Sequence, residues 1–181
     1  MKIFLDTANI DDIKRGAAMG VLDGITTNPS LLAKEGVEYK DRVLEIAKIV
    51  DGPISAECIS ENTEELIAEA FRIAKWHENI VVKIPLTEAG LAATSYISSE
   101  GIKVNTTLIF SPNQALLAAK AGSTYVSPFI GRLNDAGHDG MEVIREISNI
   151  FNQFEIKTEV LTASIRNPRD VIDAAISGSH I

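Results

Sequence analysis

Short apolar runs alternate with longer amphipathic segments along the whole chain. The amphipathic segments have helical periodicity or helix caps and cover residues 10–20, 39–50, 62–77, 87–101, 111–122, 140–154 and 167–178. Since one such segment follows each apolar run, the pattern predicts an α/β protein with parallel strands. The strands are predicted to begin near Lys2, Gly24, Ile54, Ile80, Lys103, Tyr125 and Thr158.

Local signals support the predicted helix ends. Ser111-Pro112 and Asn167-Pro168 each place a capping residue directly before a proline, which suits the first turn of a helix. Gly122 and Gly178 stand where a helix commonly ends in a left-handed residue.

Two architectures satisfy this alternation: a doubly wound sheet and a closed (β/α)8 barrel. A dinucleotide-binding doubly wound domain carries a glycine-rich turn after its first strand, but residues 3–12, "IFLDTANIDD", contain no glycine. Polar or aromatic candidates instead follow the ends of the predicted strands, where barrel active sites are assembled. The sequence therefore favours a (β/α)8 barrel. The candidates are Asp6, Asn28, Glu57, Lys83, Asn105, Thr107, Ser127, Phe129, Arg132, Ser164 and Arg166.

Lys83 interrupts the apolar strand "IVVKI". Side chains alternate between the two faces of a strand, so Lys83 shares its face with Val81 and points into the barrel, as does Glu57 on the preceding strand. Burial favours the neutral form of a lysine amine, which can then attack a carbonyl carbon and form a Schiff base. The alternative is a structural ion pair of Lys83 with Glu57 or Asp6.

Two arginines and a serine at neighbouring strand ends suggest a phosphate site. Guanidinium groups bind phosphate oxygens in bidentate fashion, and Ser164 lies beside Arg166. The alternative is that Arg132 and Arg166 are ordinary exposed arginines. Because the net charge is −8, a general attraction to nucleic acid or anionic lipid is disfavoured, and a phosphorylated ligand would need such placed cations.

Composition narrows the protein class. The 181 residues are 45% hydrophobic, enough for one domain spanning residues 1–181. One cysteine and three histidines show no metal-ligand spacing, so no metal is expected. No apolar run approaches the roughly 20 residues of a membrane span, and no signal peptide pattern opens the chain. We expect a cytoplasmic protein with no membrane or nucleic-acid partner.

Six motifs resemble the small transaldolase family, which includes a fructose-6-phosphate aldolase branch. They are "FLDTAN", "DGITTNPSLL", "VVKIP", "GIKVNTTLIFSPNQALLAAKAG", "YVSPFIGR" and "TASIRNP". The resemblance runs from Met1 to about Gly178. It implies a (β/α)8 barrel and a cofactor-free transfer of a dihydroxyacetone unit between sugar phosphates, as in the pentose phosphate pathway.

The resemblance also implies roles for individual residues. Lys83 matches the Schiff-base lysine, Asp6 the acid that exchanges a proton with the sugar hydroxyl, and Asn28 a residue of the donor pocket. Asn105 and Thr107 match positions that orient the bound dihydroxyacetone unit and the catalytic water. The remaining matches are Ser127 among the sugar-contacting positions and Arg132, Ser164 and Arg166 at the phosphate site.

Two positions separate the branches of the family. The aldolase branch carries Gln where this chain has Glu57 and Tyr where it has Phe129, so both residues favour transaldolase over fructose-6-phosphate aldolase. A Glu can work with a water during Schiff-base formation and hydrolysis, whereas a Phe cannot donate a proton to the enamine. A third possibility is a non-catalytic sugar-phosphate-binding or assembly protein.

The chain ends at "SGSHI", where the resembling proteins continue into an eighth strand and C-terminal helices. We therefore expect a barrel without its eighth strand and C-terminal helix, in which the first and seventh strands lie too far apart to pair. The resemblance also implies a homo-oligomer, either a pentamer or a decamer.

Overall fold

The computed structural model describes the backbone of residues 1–181 and the side chains of residues 1–32 and 36–181. Seven strands form one curled sheet, in which each strand pairs in parallel with the next along the chain. This is seven strands of a (β/α)8 barrel, so the predicted fold class is confirmed. The strands are β1 (Phe4–Asp6), β2 (Gly24–Thr26), β3 (Ile54–Glu57), β4 (Ile80–Pro85), β5 (Val104–Ile109), β6 (Tyr125–Pro128) and β7 (Glu159–Val160).

The helices surround the sheet, and most begin at a side-chain cap. They are α1 (Ile10–Ala18), α2 (Pro29–Glu35), α3 (Tyr39–Ala47), α4 (Thr63–Ala74), α5 (Glu88–Ser99), α6 (Pro112–Lys120), α7 (Ile130–Asp135), α8 (Gly140–Gln153) and α9 (Pro168–Ile176). Ser111 caps α6 and Asn167 caps α9, as the sequence predicted. Asn167 also forms a full capping box with Asp170, which was not predicted. Over the described residues, no helix has the length and apolar character that a bilayer crossing requires.

Two short helices, α2 and α7, were not predicted. Asn28 caps α2 and Pro29 follows it, which is the same signal that identified α6 and α9. α7 has no side-chain cap. Its first turn is instead fixed by tertiary contacts, because the amides of Ile130 and Gly131 donate to the carbonyls of Ala163 and Ser164 at 3.1 Å each.

The two faces of β4 lie in different cores. Val82 and Ile84 belong to an outer cluster that includes residues of α4 and α5. Val81 belongs to an inner cluster, together with Tyr125 and Leu161. Lys83 follows Val81 on the inner face, as predicted, and only 5% of it is exposed.

β5 departs from regular alternation near its end. The register against β6 shifts between Thr106 and Ile109, and Leu108 adopts a left-handed φ of 58°. As a result Ile109 lies in the outer core, whereas strict alternation from Asn105 would turn it inward. The irregularity comes directly after Thr107.

The last two residues lie between the ends of the sheet. Over the described backbone, β1 and β7 do not pair directly, as expected. The His180 amide donates to the Val160 carbonyl at 3.0 Å, and its carbonyl accepts from the Lys2 amide at 2.8 Å. The Ile181 carbonyl accepts from the Thr162 amide at 3.0 Å. Residues 180–181 therefore connect β7 to the segment before β1.

Candidate active site

Lys83 lies between two oxygen acceptors inside the curled sheet. Its Nζ is 3.0 Å from Glu57 Oε2 and 3.3 Å from the Thr27 carbonyl oxygen. Glu57 pairs with Lys83 across β3 and β4, and Lys83 pairs with Asn105 across β4 and β5. The predicted contact with Glu57 is therefore present. It is compatible both with an ion pair and with a carboxyl group that exchanges protons with the amine.

Asn105 is the centre of a buried hydrogen-bond chain beside the lysine. Its Nδ2 donates to Ser55 Oγ at 3.0 Å, and its Oδ1 accepts from Ser127 Oγ at 2.7 Å. All three side chains are buried. Because both ends of the amide are bonded, its orientation is fixed. Ser55 was not among the predicted site residues, although it shares the inward face of Glu57.

Thr107 is buried, and its Oγ1 has no hydrogen-bond partner in the described structure. A buried hydroxyl without a partner costs about 1–3 kcal/mol, so such groups are rare in native proteins and often mark a functional position. Thr107 follows Asn105 on the inward face and pairs with Pro85 of β4. The hydroxyl is suitably placed to bind a water or a ligand oxygen.

Asp6 ends β1 and is exposed, in contrast to Lys83. Its Oδ1 accepts from Thr26 Oγ1 at 2.7 Å, which orients the carboxylate. Thr26 was not predicted as a site residue. The alternation of β2 could have identified it, since Thr26 pairs directly with Asp6 across the sheet.

Asn28 has a structural task that was not predicted. Its Oδ1 accepts from the Leu31 amide at 2.9 Å and caps α2. The amide nitrogen could then donate to a ligand, and the second lone pair of Oδ1 could accept from one. The neighbouring Thr27 contributes its main-chain carbonyl to Lys83, a contact that no side-chain pattern can indicate.

Cys58 follows Glu57 but is not a nucleophile candidate. It belongs to the outer core, and only 1% of it is exposed. Burial raises the pKa of the Cys58 thiol far above its usual range, with a smaller contribution from nearby Glu69.

The predicted phosphate residues meet where α7 contacts the loop after β7. Gly131 makes this approach possible: a Cβ there would lie 2.3 Å from the Ser164 carbonyl oxygen and 2.4 Å from Arg166 Nε. Ser164 has a left-handed φ of 62°. Arg132 directly follows Gly131, so the structure brings the two arginines and the serine to one junction.

The two arginines are exposed, and one of them has an acidic partner. Arg166 Nη2 lies 2.8 Å from Asp135 Oδ2, and 53% of the Arg166 side chain is exposed. Such an exposed pair contributes little to stability, so an incoming phosphate could compete for the guanidinium. Arg132 is also exposed.

Phe129 lies between β6 and α7 and forms a bridge with Ala163. Its ring meets the ring of Phe110 edge to face, with centroids 6.2 Å apart. Phe110 follows β5 and is 37% exposed. Phe129, the residue that distinguishes the two branches of the resembling family, therefore forms an aromatic pair with Phe110 beside the ends of β5 and β6.

Among the side chains that the structure describes, no three His, Cys, Asp or Glu residues cluster as a metal site would require. The candidate site offers one buried amine, two carboxylates, buried hydroxyls and exposed guanidinium groups.

Comparison with known proteins identifies the family of the chain. The family model described as Transaldolase/Fructose-6-phosphate aldolase matches residues 3–181. A probable transaldolase of Thermoanaerobacter sp. (strain X514) is 58% identical over 181 residues, covering 100% of this chain and 84% of the relative. A probable transaldolase of Heliobacterium modesticaldum is 59% identical, with 100% and 84% covered. One of Herpetosiphon aurantiacus is 58% identical, with 100% and 82% covered. The chain belongs to the transaldolase/fructose-6-phosphate aldolase family of enzymes.

Proposed function

We propose that this protein is a transaldolase, which moves a dihydroxyacetone unit through a Schiff base on Lys83. The donors would be sedoheptulose 7-phosphate or fructose 6-phosphate, and the acceptors glyceraldehyde 3-phosphate or erythrose 4-phosphate. The observation that carries the proposal is the buried Lys83 amine beside the Glu57 carboxylate, 3.0 Å away, in a member of this family.

Schiff-base formation needs an amine and a proton shuttle. Glu57 first accepts a proton from the Lys83 ammonium, and the neutral amine then attacks the C2 carbonyl of the ketose. A second amine proton passes to the C2 oxygen, which gives a carbinolamine. Glu57 returns the proton that it holds to the C2 hydroxyl, which leaves as water when the iminium forms. Thr107 would hold that water, and the fixed Asn105 amide would orient the sugar hydroxyls.

Cleavage and transfer then use Asp6. Its carboxylate accepts the proton of the C4 hydroxyl while the bond between C3 and C4 breaks. The electron pair moves into the iminium to give an enamine, and the aldose phosphate leaves. The enamine carbon attacks the carbonyl of the acceptor aldose, and Asp6 returns its proton to the new hydroxyl. Water then hydrolyses the iminium and frees Lys83.

Phosphate recognition is assigned to Arg132, Ser164 and Arg166. The net charge of the chain is −8, so the protein as a whole repels a phosphate group. The two guanidinium groups would attract the phosphate locally and hold it in the site. Ser164 would add a hydroxyl donor between them.

Transfer is favoured over simple cleavage because the site offers Phe129 where the aldolase branch has a phenol. Without a proton donor at this position, the enamine would persist until an aldehyde accepts it. Glu57, in place of the amide of that branch, supplies the ionisable group that the Schiff-base steps require.

The transfer assay tests this function directly. With fructose 6-phosphate and erythrose 4-phosphate, purified protein should form sedoheptulose 7-phosphate at a steady rate, measured by coupled detection or mass spectrometry. With fructose 6-phosphate alone, free dihydroxyacetone should appear slowly. Equal rates with and without acceptor would favour fructose-6-phosphate aldolase, and neither product from folded protein would favour a non-catalytic binding protein.

Arg132→Ala should weaken the use of phosphorylated sugars. Loss of one charge-assisted hydrogen bond of about 1.5–3 kcal/mol should raise KM for fructose 6-phosphate roughly 10- to 150-fold. The use of unphosphorylated fructose as donor should change little, because it makes no phosphate contact. Arg169→Ala is a matched control, since Arg169 is also an exposed arginine near this junction and pairs with Asp173. Equal losses on both sugars would remove Arg132 from the phosphate site.

The metabolic pathway and the cellular location of the enzyme are part of the same proposal. A cofactor-free enzyme acting on these sugars would serve the pentose phosphate pathway in the cytoplasm. We also propose that residues 1–181 form one domain and that the chain assembles as a homo-oligomer.

A further inference from the structure

The helix α3 contacts three strand ends of the candidate site from outside the sheet. Tyr39 Oη accepts the main-chain N–H of Glu57 at the end of β3 and lies 3.5 Å from Thr27 Oγ1, which follows β2. Arg42, one turn further along, donates from Nη1 to the Ala8 carbonyl at 2.6 Å, two residues after Asp6. One helix thus reaches the ends of the strands that carry Asp6, Thr27 and Glu57.

Two of these contacts involve the groups that surround the Lys83 amine. Glu57 provides the carboxylate at 3.0 Å, and Thr27 provides the carbonyl oxygen at 3.3 Å. Thr27 is held further by its own hydroxyl, which donates to the Ser55 carbonyl at 2.8 Å. Tyr39 therefore contacts two residues, Glu57 and Thr27, each of which in turn contacts the Lys83 amine.

Tyr39 has the fixed position and the protonation state that such a role requires. Its ring meets the ring of Trp76 edge to face, with centroids 5.4 Å apart. Burial raises the pKa of Tyr39 far above its usual range, so the phenol stays neutral near neutral pH. A neutral phenol can accept the Glu57 N–H and still offer its own proton to Thr27 Oγ1.

We propose that Tyr39 is a positioning residue that fixes the Glu57 carboxylate and the Thr27 carbonyl around the Lys83 amine. Tyr39 does not touch the substrate in this account and acts only through these two neighbours. The catalytic part of the proposal rests on the proposed function, whereas the positioning of Lys83 can be measured without any turnover.

Tyr39→Phe keeps the ring and removes the hydroxyl. We expect kcat for transfer to fall about fivefold or more, because the loss of one hydrogen bond has an effect of this size. KM for fructose 6-phosphate should change less than twofold. Tyr125→Phe is the matched control, because Tyr125 is a buried tyrosine in the inner core below the site, and it should leave both constants unchanged. Equal effects of the two substitutions, or a loss confined to KM, would overturn the proposal.

Acetic anhydride labelling tests the positioning without substrate. The labelling rate of Lys83 relative to exposed Lys75, read by peptide mass at one pH, should be about fivefold higher in Tyr39→Phe than in Tyr125→Phe, since the amine is held less firmly. Identical ratios would overturn the proposal even in an active enzyme. An altered ratio with no transfer activity in the unmodified protein would support the positioning and reject the transaldolase function.

Amide exchange in the unmodified protein provides a test that needs no variant. The Glu57 N–H should exchange as slowly as the N–H of Cys58, which donates to the Lys83 carbonyl at 2.9 Å. Exchange of Glu57 as fast as an exposed loop amide would show that Tyr39 does not hold it, and the proposal would fail.

Discussion

Replacing Lys83 with methionine should lower transfer activity by at least about a thousandfold, the scale seen when a covalent nucleophile is removed. Methionine keeps the length and apolar stem of the side chain but cannot form an iminium. Of the lysines whose side chains the structure describes, only Lys83 is buried, so no neighbouring amine can replace it. The measurement is kcat for the transfer of dihydroxyacetone from fructose 6-phosphate to erythrose 4-phosphate.

The fold should survive this substitution. Glu57 loses its cation, but 15% of its side chain is exposed, so the carboxylate can be hydrated. Urea unfolding and circular dichroism should confirm a folded protein. Lys103→Met, at an exposed lysine just before β5, should keep full activity. Activity of Lys83→Met within tenfold of the unmodified protein would rule out the covalent mechanism.

Phe129→Tyr should change the reaction from transfer towards cleavage. A phenol at this position can donate a proton to the enamine carbon, so free dihydroxyacetone leaves without an acceptor. We expect the release rate with fructose 6-phosphate alone to rise about 10- to 100-fold, which is at or below the lower limit of the roughly 100- to 10,000-fold effect of a positioned proton donor, because an introduced phenol is not optimally placed. The rate of transfer to erythrose 4-phosphate should be lower in Phe129→Tyr than in the unmodified protein.

Phe110→Tyr is the matched control for this change. Phe110 meets Phe129 edge to face and is 37% exposed, so the control adds the same hydroxyl at the neighbouring ring. Only the substitution at Phe129 should alter the ratio of release to transfer. If both variants release dihydroxyacetone at the rate of the unmodified protein, Phe129 does not decide between the two reactions.

Much of the candidate site could be predicted because strand alternation depends only on local chain geometry. The apolar neighbours of Lys83 fix which face of β4 enters the outer core, and the lysine then has to point inward. The same reasoning places Glu57 and Asn105 beside it. Capping residues before prolines fixed the starts of α6 and α9, because a cap uses atoms within one turn of chain.

Features that depend on contacts between distant segments could not be predicted. The short helix α7 begins where its amides meet carbonyls of the loop after β7, and nothing in its own sequence marks that start. The shift in β5 is set by its pairing with β6 and requires an unusual conformation at Leu108. Tyr39 and the Thr27 carbonyl were missed because one lies on a helix and the other belongs to the main chain.

The most direct test of the central claim is covalent trapping on the unmodified protein. Incubation with fructose 6-phosphate and borohydride should reduce the Schiff base and add one dihydroxyacetone-derived group to the peptide that contains Lys83, detected by mass spectrometry. We expect this modification at Lys83, dependent on the sugar and accompanied by loss of activity. Modification at other lysines only, or none in folded protein, would contradict it.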